Sequence, residues 1–226
     1  MPRRYQTLSD LPGELAVFPL AGAILLPRAS LPLNIFEPRY LQLFDDVMRT
    51  ARLVGIIQPV GGGGPTGSPQ ERSAPLREIG CVGRVTTYQE HEDGRLTVLL
   101  SGVARFRATD EREVPHPYRV LGVDFTMFAG DLEVGRGEAD VDRERLLDTL
   151  RRYLALRNLK ADWTAIARTG SEQLVNWLSV ASPFGPGEKQ ALLEAETLKE
   201  RAEALITLAE MELATGGGSD PGGRLQ

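Results

Sequence analysis

The residues that could do chemistry are few, and they stand apart. His91 lies in the turn-like His-Glu-Asp-Gly and His116 between Pro115 and Pro117. Neither has a cysteine or a second histidine at metal-ligand spacing, so each reads as a solvated loop histidine. Cys81 is the single cysteine. It falls in a strand-like run with no local feature to lower its pKa, and reads as a buried, unreactive thiol. The lysines, Lys160, Lys189 and Lys199, lie in helical or linker sequence with no serine-centred motif around them. The run Gly61–Pro69 (GGGGPTGSP) lacks the Lys-Ser/Thr end of a phosphate-binding loop and reads as a flexible surface loop. The sequence thus gives no catalytic residues, no metal ligands and no cofactor.

Two charged groups could bind rather than react. Glu37 and Arg39 flank Pro38. They could hold a ligand, but charged residues in a corner commonly pair with local charges or backbone. Arg105 and Arg107 flank Phe106. They read as a solvated strand face, with contact to an acidic partner as the alternative. Trp163 and Trp177 read as helical-core residues rather than ligand platforms.

The elements that must position these residues follow from the pattern. Residues 1–13 read as a loose arm. Glu14–Leu20 (ELAVFPL) is a strand, and Ala21–Ser30 a loop. Leu31–Tyr40 (LPLNIFEPRY) encodes a strand, a corner and a helix start. Leu31, Leu33 and Ile35 alternate onto one face. Pro38 forces Glu37 out of the helical region and suits the first turn of the helix Pro38–Arg52. Leu53–Val60 is a buried strand. Glu78–Gln89 and Arg95–Arg107 form a hairpin around His91–Gly94, and Gly102 in mid-strand marks a bulge or bend. Tyr118–Phe125 is a further strand.

After Gly130 the period changes. Asp140 or Asp142 can cap a helix over Arg143–Arg157. Ser171 can cap a second, with Leu174, Val175, Trp177 and Leu178 inward, ended by Pro183. Glu188–Leu213 reads as one long helix with Ala195, Ala202 and Ala209 spaced seven apart. Packing within its own bundle is the favoured reading and a coiled-coil arm the alternative. Gly216–Gln226 is a glycine-rich tail. Strands first and helices after is an α+β arrangement.

The totals bound the function. The chain has 226 residues, 42% of them apolar, and a net charge of −5. Arginines balance acids before residue 131, and the helical part carries the whole acidic excess. Nucleic-acid binders usually present a basic face, so nucleic acid is disfavoured as a partner. No apolar run reaches the roughly 18 residues of a membrane span, and no signal peptide opens the chain, so a membrane site is excluded. One cysteine fits a reducing compartment, and the cytoplasm is expected.

Three stretches in order carry a family resemblance. They are Phe18–Tyr40, read FPLAGAILLP…LPLNIFEPRY; Ile79–Phe106, read IGCV…DGR…LLSGVARF; and Glu188–Glu203, EKQALLEAETLKERAE. Together they resemble the amino-terminal, substrate-binding domain of the Lon protease. The resemblance implies a six-stranded, PUA-like β pseudobarrel with one helix over residues 1–130. A helical bundle over 131–215 and a flexible tail over 216–226 would follow. It also implies a role in engaging unfolded polypeptides and in assembling an oligomer. The Ser–Lys pair and the Walker-type ATPase of that protease have no counterpart here, so the expectation is the recognition module standing alone and not an enzyme. An extended peptide could pair with a strand edge and place side chains in pockets, using an exposed apolar patch of a few hundred Å². The sequence leaves the peptide-binding residues unassigned. A protease or a second copy is a further possible partner. An RNA-binding barrel and a small-molecule binder remain the alternatives.

Overall fold

The computed structural model describes residues 5–62 and 74–215. Six strands form one sheet: β1 (Glu14–Pro19), β2 (Ser30–Ile35), β3 (Leu53–Pro59), β4 (Leu76–Glu90), β5 (Leu96–Arg112) and β6 (Arg119–Asp124). Their order is β2-β5-β4-β3-β1-β6, and β6 pairs again with β5. That second pairing closes five of the strands into a ring and leaves β2 outside as an edge. β1 and β3 are parallel, and the other pairs antiparallel. Pro32 stands mid-strand in β2 opposite Leu99. A proline without an N–H is tolerated there because the strand is an edge. The fold is the α+β pseudobarrel expected.

The helix α1 (Pro38–Met48) shares one apolar cluster with the sheet extension made by β2, β5 and β4. Its buried face is Tyr40, Leu43, Phe44 and Val47. It meets Leu31, Leu33 and Ile35, the inward side of the alternating β2. Glu37 is the N-cap, held extended at ψ 130°, and Pro38 is the first helical residue, as the corner demands.

The bulge expected near Gly102 falls at Val103, between the pairs Val82–Ala104 and Gly83–Gly102. A second reason for the glycine is close backbone approach. Gly102 exchanges hydrogen bonds with the segment before β2: its N–H donates to the Ala29 carbonyl and its carbonyl accepts from Arg28. A Cβ on Gly102 would stand 1.9 Å from the Leu26 carbonyl oxygen.

Helices follow: α2 (Arg143–Leu156), α3 (Trp163–Arg168), α4 (Ser171–Ala181), α5 (Pro186–Glu194) and α6 (Leu198–Ala214). One apolar cluster runs from the sheet extension and α1 into α2, α4, α5 and α6; a second fills the other end of the ring around Phe106. Asp142 caps α2, accepting from the Arg145 N–H at 3.0 Å.

Several sequence expectations are corrected. The long helix 188–213 is two helices. Thr197 Oγ1 accepts from the Glu200 N–H, and Glu200 returns a carboxylate oxygen to the Thr197 N–H. This capping box starts α6 afresh, and Ala195, with ψ 123°, stands in the break. Ala202 and Ala209 are buried in the bundle. Ser171 is the first residue of α4 rather than its cap, and its hydroxyl accepts from Arg143. Trp177 is 51% exposed and Trp163 37%. Leu174, Val175 and Leu178 already fill the inward face of α4, and Trp163 lies against the Arg151 guanidinium. The arm is partly ordered, with a 3-10 turn at Leu8–Asp10 and Leu11 buried in the second cluster. The glycine run and the tail fall outside the described residues, apart from Val60–Gly62, a 3-10 turn.

The helical part is pinned to the ring by buried polar side chains. Arg105 is 4% exposed, which corrects its reading as a solvated strand residue. Its backbone N–H and Nε donate to one Asp131 oxygen and Nη2 to the other, all at 2.9 Å. Its Nη1 donates to the Leu193 and Ala195 carbonyls. Arg201 donates to the Leu192 and Ala195 carbonyls and to Asn176, whose amide reaches the Pro27 carbonyl. Two guanidiniums thus satisfy the orphan carbonyls that end α5. Burial, with Arg105 nearby, pushes the Arg201 pKa down to about 9. Lys189 does the same for α4, donating to the Ser179 and Val180 carbonyls, and burial pulls its pKa from 10.5 to about 8.

Two predictions follow from these packing facts. Gly102→Ala should cost about 2–4 kcal/mol in urea unfolding, because backbone must move, whereas Gly13→Ala, with nothing within 4 Å, should stay within about 0.5 kcal/mol. Between about pH 8 and 10.5 the unfolded chain binds more protons at Lys189 than the folded one, so stability should rise with pH there. Lys189→Met should reduce that rise in urea midpoints, most clearly between about pH 8 and 9, since Arg201, with its pKa pushed down to about 9, adds to it above.

Candidate functional site

The corner after β2 and the segment joining β5 to β6 face each other across a cleft of about 540 Å³. One wall is Arg39 and Tyr40, in the first turn of α1, with Pro19 at the end of β1. The other is the run Glu111–Arg119, from the end of β5 into the start of β6. Pro115 and Pro117 fix φ on both sides of His116, which keeps this run out of both helix and ladder.

Each wall carries a flat stack. The Arg39 guanidinium lies 4.3 Å from the Tyr40 ring centroid, and Tyr40 meets Phe18 edge-on at 4.2 Å. Opposite, the His116 and Tyr118 rings stack at 4.9 Å with planes 3° apart. Tyr118 is buried and donates its hydroxyl to Asp46 of α1 at 2.9 Å, tying the two walls together. Burial first, and that bond second, push the Tyr118 pKa from 10 to about 12.

The guanidiniums at the cleft are met by the chain's own carboxylates. Arg39 pairs with Glu37 at 2.9 Å, both largely covered, which is the structural reading of the corner. Arg119 donates Nε and Nη2 to the two oxygens of Glu111 and Nη1 to the Ala74 carbonyl. Arg112 faces both Glu14 and Asp110. Glu113 is exposed and has no ion pair or hydrogen bond among the described residues.

The remaining sequence candidates lie elsewhere. His91 is exposed, with Nε2 2.8 Å from the Thr97 hydroxyl. Cys81 is fully buried, and burial pushes its thiol pKa up, so it carries little thiolate. Arg107 is half-exposed and lies 3.5 Å from Asp124. Among the described residues, no three His, Cys, Asp or Glu side chains gather as metal ligands, and no helix is long and apolar enough to cross a membrane. Among the described residues the large exposed apolar side chains Phe36, Val60, Met127, Val134, Trp177 and Met211 are scattered along the chain, whereas Leu156, Leu159 and Trp163 fall in one stretch from the end of α2 to the start of α3. Arg39, weighed in the sequence as a possible ligand contact but favoured as a local pair, lies in one wall of the cleft. The sequence reading missed the Glu111–Arg119 wall, whose signal was the Pro-His-Pro-Tyr run that no ladder can absorb.

A family model described as the ATP-dependent protease La (Lon) substrate-binding domain matches residues 14–210. The chain is 26% identical over 212 residues to a Lon protease of Flavobacterium johnsoniae, covering 90% of this chain and 25% of that one. It is 23% identical over 222 residues to Lon protease 2 of Thermus thermophilus, covering 90% and 25%. It spans about a quarter of the length of these relatives. Among solved structures, the N-terminal domain of a Mycobacterium avium complex Lon protease aligns with a TM-score of 0.63 at 16% identity, over 87% of this chain and 98% of that one. A Lon N-terminal domain protein from Xanthomonas campestris aligns at 0.58 and 23% identity, over 86% and 97%. Both likenesses concern the fold.

The tie between the walls is testable. The Tyr118 hydrogen bond contributes fully below pH 10 and is lost as pH rises through about 12. Tyr118→Phe should remove that alkaline loss and cost about 1–2 kcal/mol at neutral pH. Urea unfolding at both pH values, with phenolate absorbance, checks it.

Proposed function

The chain belongs to the family of ATP-dependent protease La (Lon) substrate-binding domains, and from that we propose a module that recognises polypeptide substrates and performs no reaction of its own. The observation that carries this is the family match over residues 14–210, which takes in the ring and the bundle together. The cleft supports it. The buried Tyr40 and Tyr118 rings back its walls, and the exposed His116 and Pro117 with Val114 give a surface suited to holding a stretch of extended chain by apolar contact.

The cleft is the better seat than the strand edge. β2 is an open edge of the sheet, and Pro32 gives it no N–H at mid-strand. Binding in an open cleft that reads few side chains is weak and tolerant of sequence. Such a module would work as a quality-control adaptor, holding chains for a protease or another copy of itself. The matching region of the two Lon proteases is about a quarter of each chain, which fits a recognition part paired with other machinery. The RNA-binding alternative gains nothing from a cleft whose guanidiniums already face carboxylates.

The test is retention of a reduced, alkylated client protein on the immobilised chain, with the native client as control. Denatured client should be held with micromolar affinity, and His116→Ala combined with Val114→Ser should weaken it about threefold or more. Equal retention of denatured client by the module and by a blank support would overturn the reading.

A further inference from the structure

The charge around the cleft is layered, and the layering selects what enters. The guanidiniums of Arg39 and Arg119 lie beneath, with side chains 13% and 18% exposed. Among the carboxylates, Glu111 lines the cleft at 47% exposed; Asp110 and Glu14, at 49% and 57%, stand outside its lining and pair with Arg112, itself 44% exposed. Arg112 is shared by two carboxylates, and Glu113 has no cation among the described residues. Each guanidinium of the lining is matched by a carboxylate, and the one lining charge left over is that of the exposed Glu113.

We propose that this cleft takes extended polypeptide segments bearing lysine or arginine and turns away acidic ones. This rests on the polypeptide-binding reading and adds the charge of the ligand. The stacked walls hold the apolar part of the segment. A lysine or arginine stem lies along such surfaces while its charged end reaches the carboxylate rim. A carboxylate in the same place meets Glu111 and Glu113 and no unmatched guanidinium. Opposed rim charges act mainly on selection and on the rate of encounter, and salt weakens them.

The experiment uses the full chain and three short fluorescein-labelled peptides of one shared apolar and aromatic composition. They differ in carrying lysines, serines or glutamates between the apolar residues. Anisotropy is read at low and high salt. The lysine peptide should bind about five- to tenfold more tightly than the glutamate peptide at low salt, and the ratio should fall toward one at high salt. Glu113→Lys, at an exposed position without a partner, should narrow the low-salt ratio about two- to threefold while leaving the thermal midpoint unchanged. Equal binding of the three peptides overturns the charge inference and leaves polypeptide binding standing. A ratio unmoved by Glu113→Lys overturns the assignment to this cleft. Failure of all three peptides to bind overturns the reading beneath it.

Discussion

The structure depends on Arg105. One guanidinium on β5 holds Asp131 on one side and the last carbonyls of α5 on the other. A buried cation is costly unless every donor is used and the charge is met. Here a carboxylate meets it, and the negative end of a helix adds to that. Arg201 serves the same helix end from α6, and its neighbour Asn176 reaches the loop before β2. Such a network tolerates one arrangement of ring and bundle, because any slip would strand charges away from water.

The apolar core works with this constraint. A cluster that begins under α1 and ends on α6 has no gap at the junction, so ring and helices hold one another's shape. The cleft inherits that rigidity. Its walls are the ends of β1, β5 and β6 and the first turn of α1, all anchored in the same packing. The joining segment Glu113–Tyr118 has no ladder of its own, and its anchor is the Tyr118 hydroxyl on Asp46.

Local chemistry was legible in the residues. Pro38 announced the corner, Asp142 the start of α2, and Asp93-Gly94 the hairpin turn, because each acts on its own few bonds. Thr197 and Glu200 also stood at capping-box spacing, but the apolar stripe on both sides of them suggested an unbroken helix. What could not be read was who meets whom across the chain. Arg105 looked like any strand arginine because its partners lie about 26 to 90 positions away. The cleft was half legible for the same reason: Arg39 and His116 are each visible in the sequence, and only the closing of β6 onto β5 sets them across from one another. Trp177 shows the converse, since helical period places it beside the core without saying that Leu174, Val175 and Leu178 have taken the room.

Pro32 bears on a hazard that any open sheet edge carries. An open row of amides and carbonyls is a template on which unfolded chains can stack into fibres. In this fold the ring pairs both sides of most strands, β4 beyond Val85 has a strand neighbour on one side only, and on β2 the proline interrupts the open row. At β2 a neighbouring chain therefore finds no continuous row of amides along which to extend the sheet.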